Sequence, residues 1–464
     1  MKKAGSLLLG VIVISMAICL SNQQKYEAKW ELIDNRPIPQ WFSDSKFGIF
    51  IHWGVYSVPA WGPLPADGAD VYGCYAEWYW ARLINKTDPV HQLFIDFHER
   101  NYGKDFSYPD FVHQFTAEMF CPDDWAKLFY DSGAKYVVLT SKHHEGFSLW
   151  PSEHSQGWNS MDVGPHRDLV GELTSAVKDV GLHMGLYYSL YEWQNPLYKD
   201  IDKYVDEYMI PQMKDLVNRY HPEVIWTDGE WEHHSDKWKS ADFLAWLYNE
   251  SPVKETVVVN DRWGTDTRGK HGGFYTSEYN SGTEGSDEDS CITRPWEECR
   301  GIGNSFGYNR NEKPEDYCTS EELIHLLIEK VAKGGNLLLN IGPTAEGLIP
   351  EIMRQRLTDM GEWLSVNGEA IYGTSAWEVA NEQPDISAYF TTKGDNLYVI
   401  CTQFPVEPIT IKGVSWKSSV SLLGSDEEIQ YIQNGKDLTV NLPEFTSTDI
   451  PCNYAWVLKV SREE

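Results

Sequence analysis

Positive charge is scarce in this chain. Its 39 Lys and Arg face 69 Asp and Glu, a formal net charge of −30 over 464 residues. Binding along a phosphate backbone needs the opposite balance, which argues against nucleic acid as a partner. Metal spacings are missing as well: neither CxxC nor HExxH occurs, and no metal site is expected. No GxGxxG follows the first apolar strand, which removes the simplest dinucleotide reading; no cofactor is expected. After residue 20 no run is long and apolar enough to span a bilayer, so stable membrane insertion is not expected. The acidity favours solubility, and its self-repulsion falls at low pH as carboxylates take up protons. That is compatible with an acidic compartment without requiring one.

The N-terminus does carry one apolar run. Lys2 and Lys3 precede Leu7 to Leu20, broken by Gly10 and Ser15, and the polar SNQQK follows. A basic segment followed by an apolar one is the pattern of a signal peptide. We expect residues 1–21 to be that leader, cleaved near Ser21, and the destination to be lysosomal or secreted. Beyond Cys19 the cysteines are Cys74, Cys121, Cys291, Cys299, Cys318, Cys401 and Cys452. An exported chain permits disulfides, and an odd count leaves a thiol over or paired between chains. Cys291 and Cys299 are the expected pair. Asn85-Lys86-Thr87 is an N-glycosylation sequon, so Asn85 is an expected glycan site. Aromatics are plentiful, with 20 Trp and 26 Tyr. Their flat apolar faces and polar edges suit a sugar cleft, although large cores use them too.

The chain is best read around His221 to Glu232, HPEVIWTDGEWE. Val224, Ile225 and Trp226 suit a buried strand, and Gly229 lets the backbone turn without a Cβ. Asp228 therefore stands at the carboxyl end of a strand, where α/β folds place ligands. The bland alternative is an Asp capping the next segment. Similar strands are expected at Lys46 to Trp53, Tyr136 to Thr140, His183 to Leu190, Val257 to Val259, Phe274 to Tyr279 and Asn336 to Ile341. Helices are expected between them at Ala76 to Ile84, from Pro122, at Asp168 to Val180, Ile201 to Val217, Ala241 to Tyr248, Glu321 to Val331 and Pro350 to Leu364. This makes roughly seven strand–helix units, best explained by a (β/α)8-like TIM barrel over 22–376. An open doubly wound sheet is the alternative. After about Trp377 short β-like runs and turns replace the alternation, and 377–464 is expected to form an antiparallel β-sandwich that braces the barrel.

His52, His143, Tyr187, Asp228, Arg262 and Glu278 all fall at or just after strand ends. A barrel gathers such residues over one mouth, where an open sheet spreads them. Two carboxyls, several His, an Arg and many aromatics are what acetal cleavage needs: a proton donor for the leaving oxygen and a carboxylate against an oxocarbenium-like centre. Asp228 is placed to attack or activate water, Glu278 to carry the proton, and the histidines to bind hydroxyls. A metal hydrolase is the rival for the histidines. His143 and His144 are adjacent, however, and on an extended chain point to opposite sides.

The residues also carry a resemblance. WFSDSKFGIFIHWGVYSVPAW at Trp41 to Trp61, AEWYW at Ala76 to Trp80 and TSKHHEGFSLW at Thr140 to Trp150 are three of its motifs. IWTDGEWE at Ile225 to Glu232, VVNDRWG at Val258 to Gly264 and GGNLLLNIGPTAEG at Gly334 to Gly347 are three more. Together, in order and across nearly all of the proposed barrel, they resemble glycoside hydrolase family 29, the α-L-fucosidases, in the layout of the animal tissue, lysosomal type. The resemblance implies a (β/α)8-like barrel with a C-terminal β-sandwich and a retaining, two-step release of α-L-fucose from fucosylated glycans. It implies Asp228 as nucleophile and His52, Glu77, Trp78, His143, His144, Tyr187, Trp226 and Arg262 in the fucose pocket. Phe50 and Tyr75 would face the sugar's C5 methyl. For the acid/base it leaves Glu278, favoured, and Glu297 in the WEEC stretch. Phe306-Gly307-Tyr308 stands where relatives often show Trp-Gly-Tyr. Relatives are often homo-oligomers, dimers or tetramers. A fucose-binding protein without catalysis is the alternative from another class, and the presence of Asp228 weighs against it.

Overall fold

Phe47–Ile51 (β1) is apolar and buried at every position, as a parallel strand covered on both faces must be. The structure, a computed structural model, describes residues 25–65, 72–279, 294–380, 388–443 and 450–463. The expected leader and Cys291 lie outside these residues. Seven further strands build the same sheet: β2 (Tyr136–Lys142), β3 (His183–Ser189), β4 (Val224–Asp228), β5 (Val258–Val259), β6 (Tyr275–Glu278), β7 (Trp296–Gly301) and β8 (Asn336–Ile341). Their order is β5-β4-β3-β2-β1-β8-β7-β6, all parallel, with β1 beside β8. The curled sheet meets itself at β5 and β6. No ladder forms there, but Gly273 N–H donates to the Asn260 carbonyl at 3.1 Å and Phe274 N–H to that of Val259 at 3.0 Å. Only glycine fits at Gly273, because a Cβ would lie 1.8 Å from the Val259 oxygen. The fold is thus the (β/α)8-like barrel that the alternation implied.

Side-chain alternation divides the sheet into two packed layers. Ile49, Ile51, Val137 and Leu139 point outward and pack among the helices. Phe50, Tyr136, Val138, Tyr187, Trp226 and Leu338 point inward and fill the barrel. Burying each such side chain contributes roughly 1.5–3 kcal/mol. Helices Pro122–Asp131, Leu169–Asp179, Ser240–Asn249, Ser320–Ala332 and Glu351–Asn367 cover the outside.

Three elements differ from expectation. β7 was not anticipated as a strand, because its WEECRG sequence lacks an apolar face. Inside the barrel, Glu297 replaces apolar packing with hydrogen bonds from Trp226 Nε1 and Tyr136 OH. The helix expected over Ile201 to Val217 is interrupted by a π turn at Val205–Met209. Pro211, just beyond it, has no N–H to donate to the preceding turn. The segment expected to be a helix from Ala76 opens as a 3-10 turn, Ala76–Trp78, before Tyr79–Ile84 becomes helical.

The C-terminal strands form two antiparallel sheets. β9 (Ser375–Ala376), β10 (Ala388–Lys393), β11 (Asn396–Cys401), β13 (Ser418–Leu422) and β16 (Trp456–Arg462) make one, and β12 (Ile409–Lys412), β14 (Gln430–Asn434) and β15 (Asp437–Asn441) the other. Leu397, Val399, Leu458 and Val460 face the small sheet. Their neighbours Tyr398, Ile400 and Val457 belong to the barrel's core instead. The five-stranded sheet is therefore apolar on both faces at its centre.

Candidate active site

The inward alternation that packs the barrel also delivers its polar residues. Asp228 lies two positions beyond Trp226 in β4, Glu278 two beyond Thr276 in β6, and His52 two beyond Phe50 at the end of β1, so all three reach one mouth. Gly229 then turns the chain with φ 76°, a left-handed conformation that glycine adopts without strain. The cavity at this mouth measures about 450 Å³. It brings together Phe50, His52, Tyr75, Glu77, Trp78, His143, His144, Tyr187, Trp226, Asp228, Arg262 and Glu278. Each was a candidate from sequence. Tyr72, Arg82, Trp231, Arg268, Cys299 and Phe306 also line it; of these only Phe306 stands at a position singled out by comparison with the Trp-Gly-Tyr of relatives.

Arg262 organises the centre. Its Nη1 donates to Asp228 Oδ1 at 2.8 Å, its Nη2 to Glu278 Oε2 at 3.2 Å and its Nε to Thr276 Oγ1 at 3.1 Å. The guanidinium lies over the Trp226 ring, 4.5 Å from its centroid, a cation–π contact in a closed setting. Tyr187 OH donates to Asp228 Oδ2 at 2.9 Å. Burial pushes the Asp228 carboxyl up, but the Arg262 charge and the hydrogen bonds from Arg262 and Tyr187 outweigh it. The result is a carboxylate held well below the usual range and ionised throughout the working pH. Glu278 is placed differently. Its Oε1 accepts from Tyr75 OH at 3.1 Å, and its side chain keeps 20% exposure against 11% for Asp228.

The histidines are neutral. Burial drives His52 and His144 well below the ordinary imidazole value and His143 down to about 3. Their partners fix two of the tautomers. Asn340 gives its amide N–H to the Phe306 carbonyl at 2.6 Å, so its Oδ1 must accept from His52 Nδ1, also at 2.6 Å. Ser189 spends its proton on the Tyr191 carbonyl at 2.6 Å and so accepts from His144 Nδ1, again at 2.6 Å. His52 and His144 therefore keep Nε2 as an acceptor. That suits them to receive sugar hydroxyl protons. Glu77 accepts from the Gly307 N–H at 2.8 Å and Ser305 Oγ at 3.2 Å; burial pushes its carboxyl up to about 7.

Glu297 does not line the cavity. It sits deeper in the barrel, fully buried, with Oε1 accepting from Trp226 Nε1 at 2.9 Å and Oε2 from Tyr136 OH. Burial pushes its carboxyl up to about 7. Cys299 requires a correction: it is a free, buried thiol rather than half of a disulfide with Cys291. As the inward residue two beyond Glu297 it faces the cavity. Among the described residues Cys121, Cys318, Cys401 and Cys452 are free thiols as well. Asn85, the sequon residue, is exposed at the end of a short helix. Among the described residues no cluster of His, Cys, Asp and Glu is arranged to hold a metal, and no helix is long and apolar enough to cross a membrane.

Trp231, 41% exposed, stands at the rim against His144 and Trp78. Its position three residues after Asp228 is the signal that marks it in the sequence. Arg268 and Tyr72 come from loops and left no such signal.

A curled parallel barrel with two unlike carboxyls at its carboxyl-end mouth, ringed by neutral histidines and aromatics, defines a glycoside hydrolase. The α-L-fucosidase family signature matches residues 14–369, and the α-L-fucosidase C-terminal domain matches 381–461. An α-L-fucosidase of Branchiostoma floridae is 43% identical over 468 residues, covering 97% of this chain and 99% of that one. The tissue α-L-fucosidase of Homo sapiens is 43% identical, over 94% of this chain and 92% of its own. The structure of Thermotoga maritima α-fucosidase with a mechanism-based inhibitor superimposes with a TM-score of 0.78 at 36% identity, covering 94% of this chain and 100% of that one. This chain belongs to the α-L-fucosidase family, and it is an enzyme of the hydrolase class.

Proposed function

We propose that this enzyme removes terminal α-L-fucose from glycoconjugates with Asp228 as nucleophile and Glu278 as acid/base, through a covalent fucosyl–enzyme. The observation that carries the reading is the sharing of one guanidinium. Arg262 holds Asp228 at 2.8 Å and Glu278 at 3.2 Å through different nitrogens. Both carboxyls thus share one guanidinium, which supports the close pairing, roughly 5–5.5 Å, that a retaining mechanism uses. In the first step Glu278 gives its proton to the leaving oxygen while Asp228 bonds to the anomeric carbon, and the glycosidic bond breaks. Asp228 loses its negative charge in that step. In the second, Glu278 takes a proton from water, the water oxygen bonds to the anomeric carbon, and Asp228 leaves as the carboxylate. Deep pocket residues hold the single terminal sugar, with Phe50 and Tyr75 against its apolar C5 methyl, while the exposed rim meets the leaving group. This is an exo-acting geometry.

Release of 4-nitrophenol from its α-L-fucoside between about pH 4 and 7 tests the activity. Proton NMR of the first product must show α-L-fucose. β-L-Fucose appearing first would overturn retention, and no aryl release would leave a fucose-binding protein in its place. The tissue-type relatives and the apolar leader support export to the lysosome or the cell exterior, with Asn85 glycosylated on the way. N-terminal sequencing of the exported protein, with cleavage expected near Ser21, checks this. Self-association into a dimer or tetramer is part of the same reading, and sedimentation of the purified enzyme measures it.

A further inference from the structure

Acceptors on Asn340 and Ser189 fix the protons of His52 and His144 on Nδ1. His143 has no such acceptor. Its Nδ1 is buried without a hydrogen-bond partner, and so is Oε2 of Glu145. These two orphan atoms face each other at 3.5 Å, with side-chain exposures of only 3% and 1%. Buried polar atoms left without a partner are costly, and one shared proton satisfies both. We propose that Glu145 is a positioning residue for the fucosidase reaction: its carboxyl O–H is donated to His143 Nδ1, so that His143 presents Nε2–H to a sugar hydroxyl. The inference rests on the sugar-binding reading of the pocket given above.

The surroundings favour the protonated carboxyl. Lys142 at the end of β2 is the nearest cation, and it is committed to Glu192 in a fully buried ion pair that Tyr204 OH and Asn195 also join. The other groups facing Glu145 are the hydroxyls of Tyr56, in the Val55–Ser57 turn, and Tyr108, in the Tyr108–Gln114 turn. Neither carries a positive charge. Burial, with the Glu192 charge adding to it, pushes the Glu145 carboxyl up to about 8, while burial holds His143 down to about 3. Between those limits both groups are neutral, and O–H to imidazole nitrogen is the stronger of the two hydrogen bonds they can make. The backbone at Glu145 is fixed, since Trp158 Nε1 donates to its carbonyl at 2.9 Å. The pocket then offers two imidazole acceptors and one imidazole donor. One hydroxyl can accept from His143 while another donates to His52 or His144. Ionisation of Glu145 would turn the His143 proton to Nδ1 and convert the third imidazole into an acceptor.

The test uses Glu145→Gln and Glu145→Ala in the full chain, with 15N-histidine labelling and His143 assigned by its loss in H143A. The glutamine amide N–H donates to Nδ1 as the acid does, but does not titrate. Long-range 1H–15N spectra are expected to show His143 Nδ1 unprotonated at pH 6 in the wild type and in E145Q. Above about pH 8 the proton should move to Nδ1 in the wild type only. Hydrolysis of 4-nitrophenyl fucoside at pH 5 should stay within about threefold of wild type in E145Q and fall at least tenfold in kcat/KM in E145A. A protonated Nδ1 in the wild type at pH 6 overturns the proposal, as does E145A matching E145Q in a folded protein. Because the spectra need no turnover, they decide the tautomer even if the wild type proves inactive, and that inactivity would count against the fucosidase reading alone.

Discussion

Arg262 Nη1 lies 2.8 Å from Asp228 Oδ1 in a setting nearly closed to solvent. The guanidinium is planar and forked, and it spends separate nitrogens on Asp228, Glu278 and Thr276 while its face covers Trp226. A lysine ammonium has neither the fork nor the flat face. Arg262→Lys is therefore expected to lower kcat/KM by about 10²–10³-fold, as loss of a positioned charge-stabilising contact does. R262K within threefold of wild type on 4-nitrophenyl fucoside would show that the charge alone suffices.

Asp228→Gly removes the carboxylate that forms the covalent intermediate. The fold should survive, since Asp228 contributes hydrogen bonds at the mouth rather than apolar packing. Activity is expected to fall by about 10²–10⁴-fold. Azide, small enough for the vacated space, should partly restore turnover and give the β-fucosyl azide. Near-normal turnover in a folded D228G protein rules this role out.

The choice between Glu278 and Glu297 turns on leaving-group ability. An acid/base variant fails on natural fucosides, whose alkoxides need a proton, but loses much less on a dinitrophenyl fucoside. Azide then accelerates its second step, because water has lost its base. Glu278→Ala is expected to show this split. Glu297→Ala should lose both substrates alike, since Glu297 touches Trp226 and Tyr136 beneath the pocket rather than the cavity. The split appearing in E297A alone transfers the role to Glu297.

Stability should fall as pH rises. Burial raises the carboxyls of Glu77, Glu230 and Glu297 to about 7 and that of Glu145 to about 8. Between the unfolded carboxylate pKa near 4.3 and those values, the folded state binds more protons than the unfolded one. The buried neutral His52, His143 and His144 act the other way below the unfolded imidazole pKa near 6.5, so the decrease with pH is expected above that value. Asp228 is shifted the opposite way, and its contribution changes only at far lower pH. Thermal unfolding followed by near-UV CD should show Tm lower at pH 8 than at pH 6.5, by on the order of 5 °C. Glu297→Gln should flatten the slope. A Tm that rises over this range contradicts the assignment of neutral buried acids.

How much of this was legible depended on what satisfied each residue. β1, β2 and β8 announced themselves because both of their faces meet apolar neighbours. The polar residues at strand ends were equally readable, since a period of two decides which face they share. β7 was hidden. Its inward positions are Glu297 and Cys299, and a strand with a buried acid makes sense only once Trp226 and Tyr136 are known to lie opposite. The same holds for Glu145. It sits in the readable HHEGF stretch, but its partner His143 Nδ1 is defined by the turn after β2 rather than by spacing. Tyr72 and Arg268 reach the rim from loops, whose paths are set by packing that no periodicity records.

The five-stranded C-terminal sheet has no free face at its centre. Tyr398, Ile400 and Val457 fill gaps in the barrel's core while Leu397, Val399 and Leu458 fill those of the small sheet. Trp363 Nε1 donates to the Ala455 carbonyl at 2.9 Å and Tyr398 OH to Glu369 at 2.7 Å, fastening the Glu351–Asn367 helix and the turn after it. That helix follows β8, which carries Asn340 and through it the proton of His52. Truncating the chain after the barrel would thus strip an apolar seat from the scaffold beneath an active-site imidazole. The natural unit for heterologous production, and for any chimera that exchanges specificity between relatives, is both layers together.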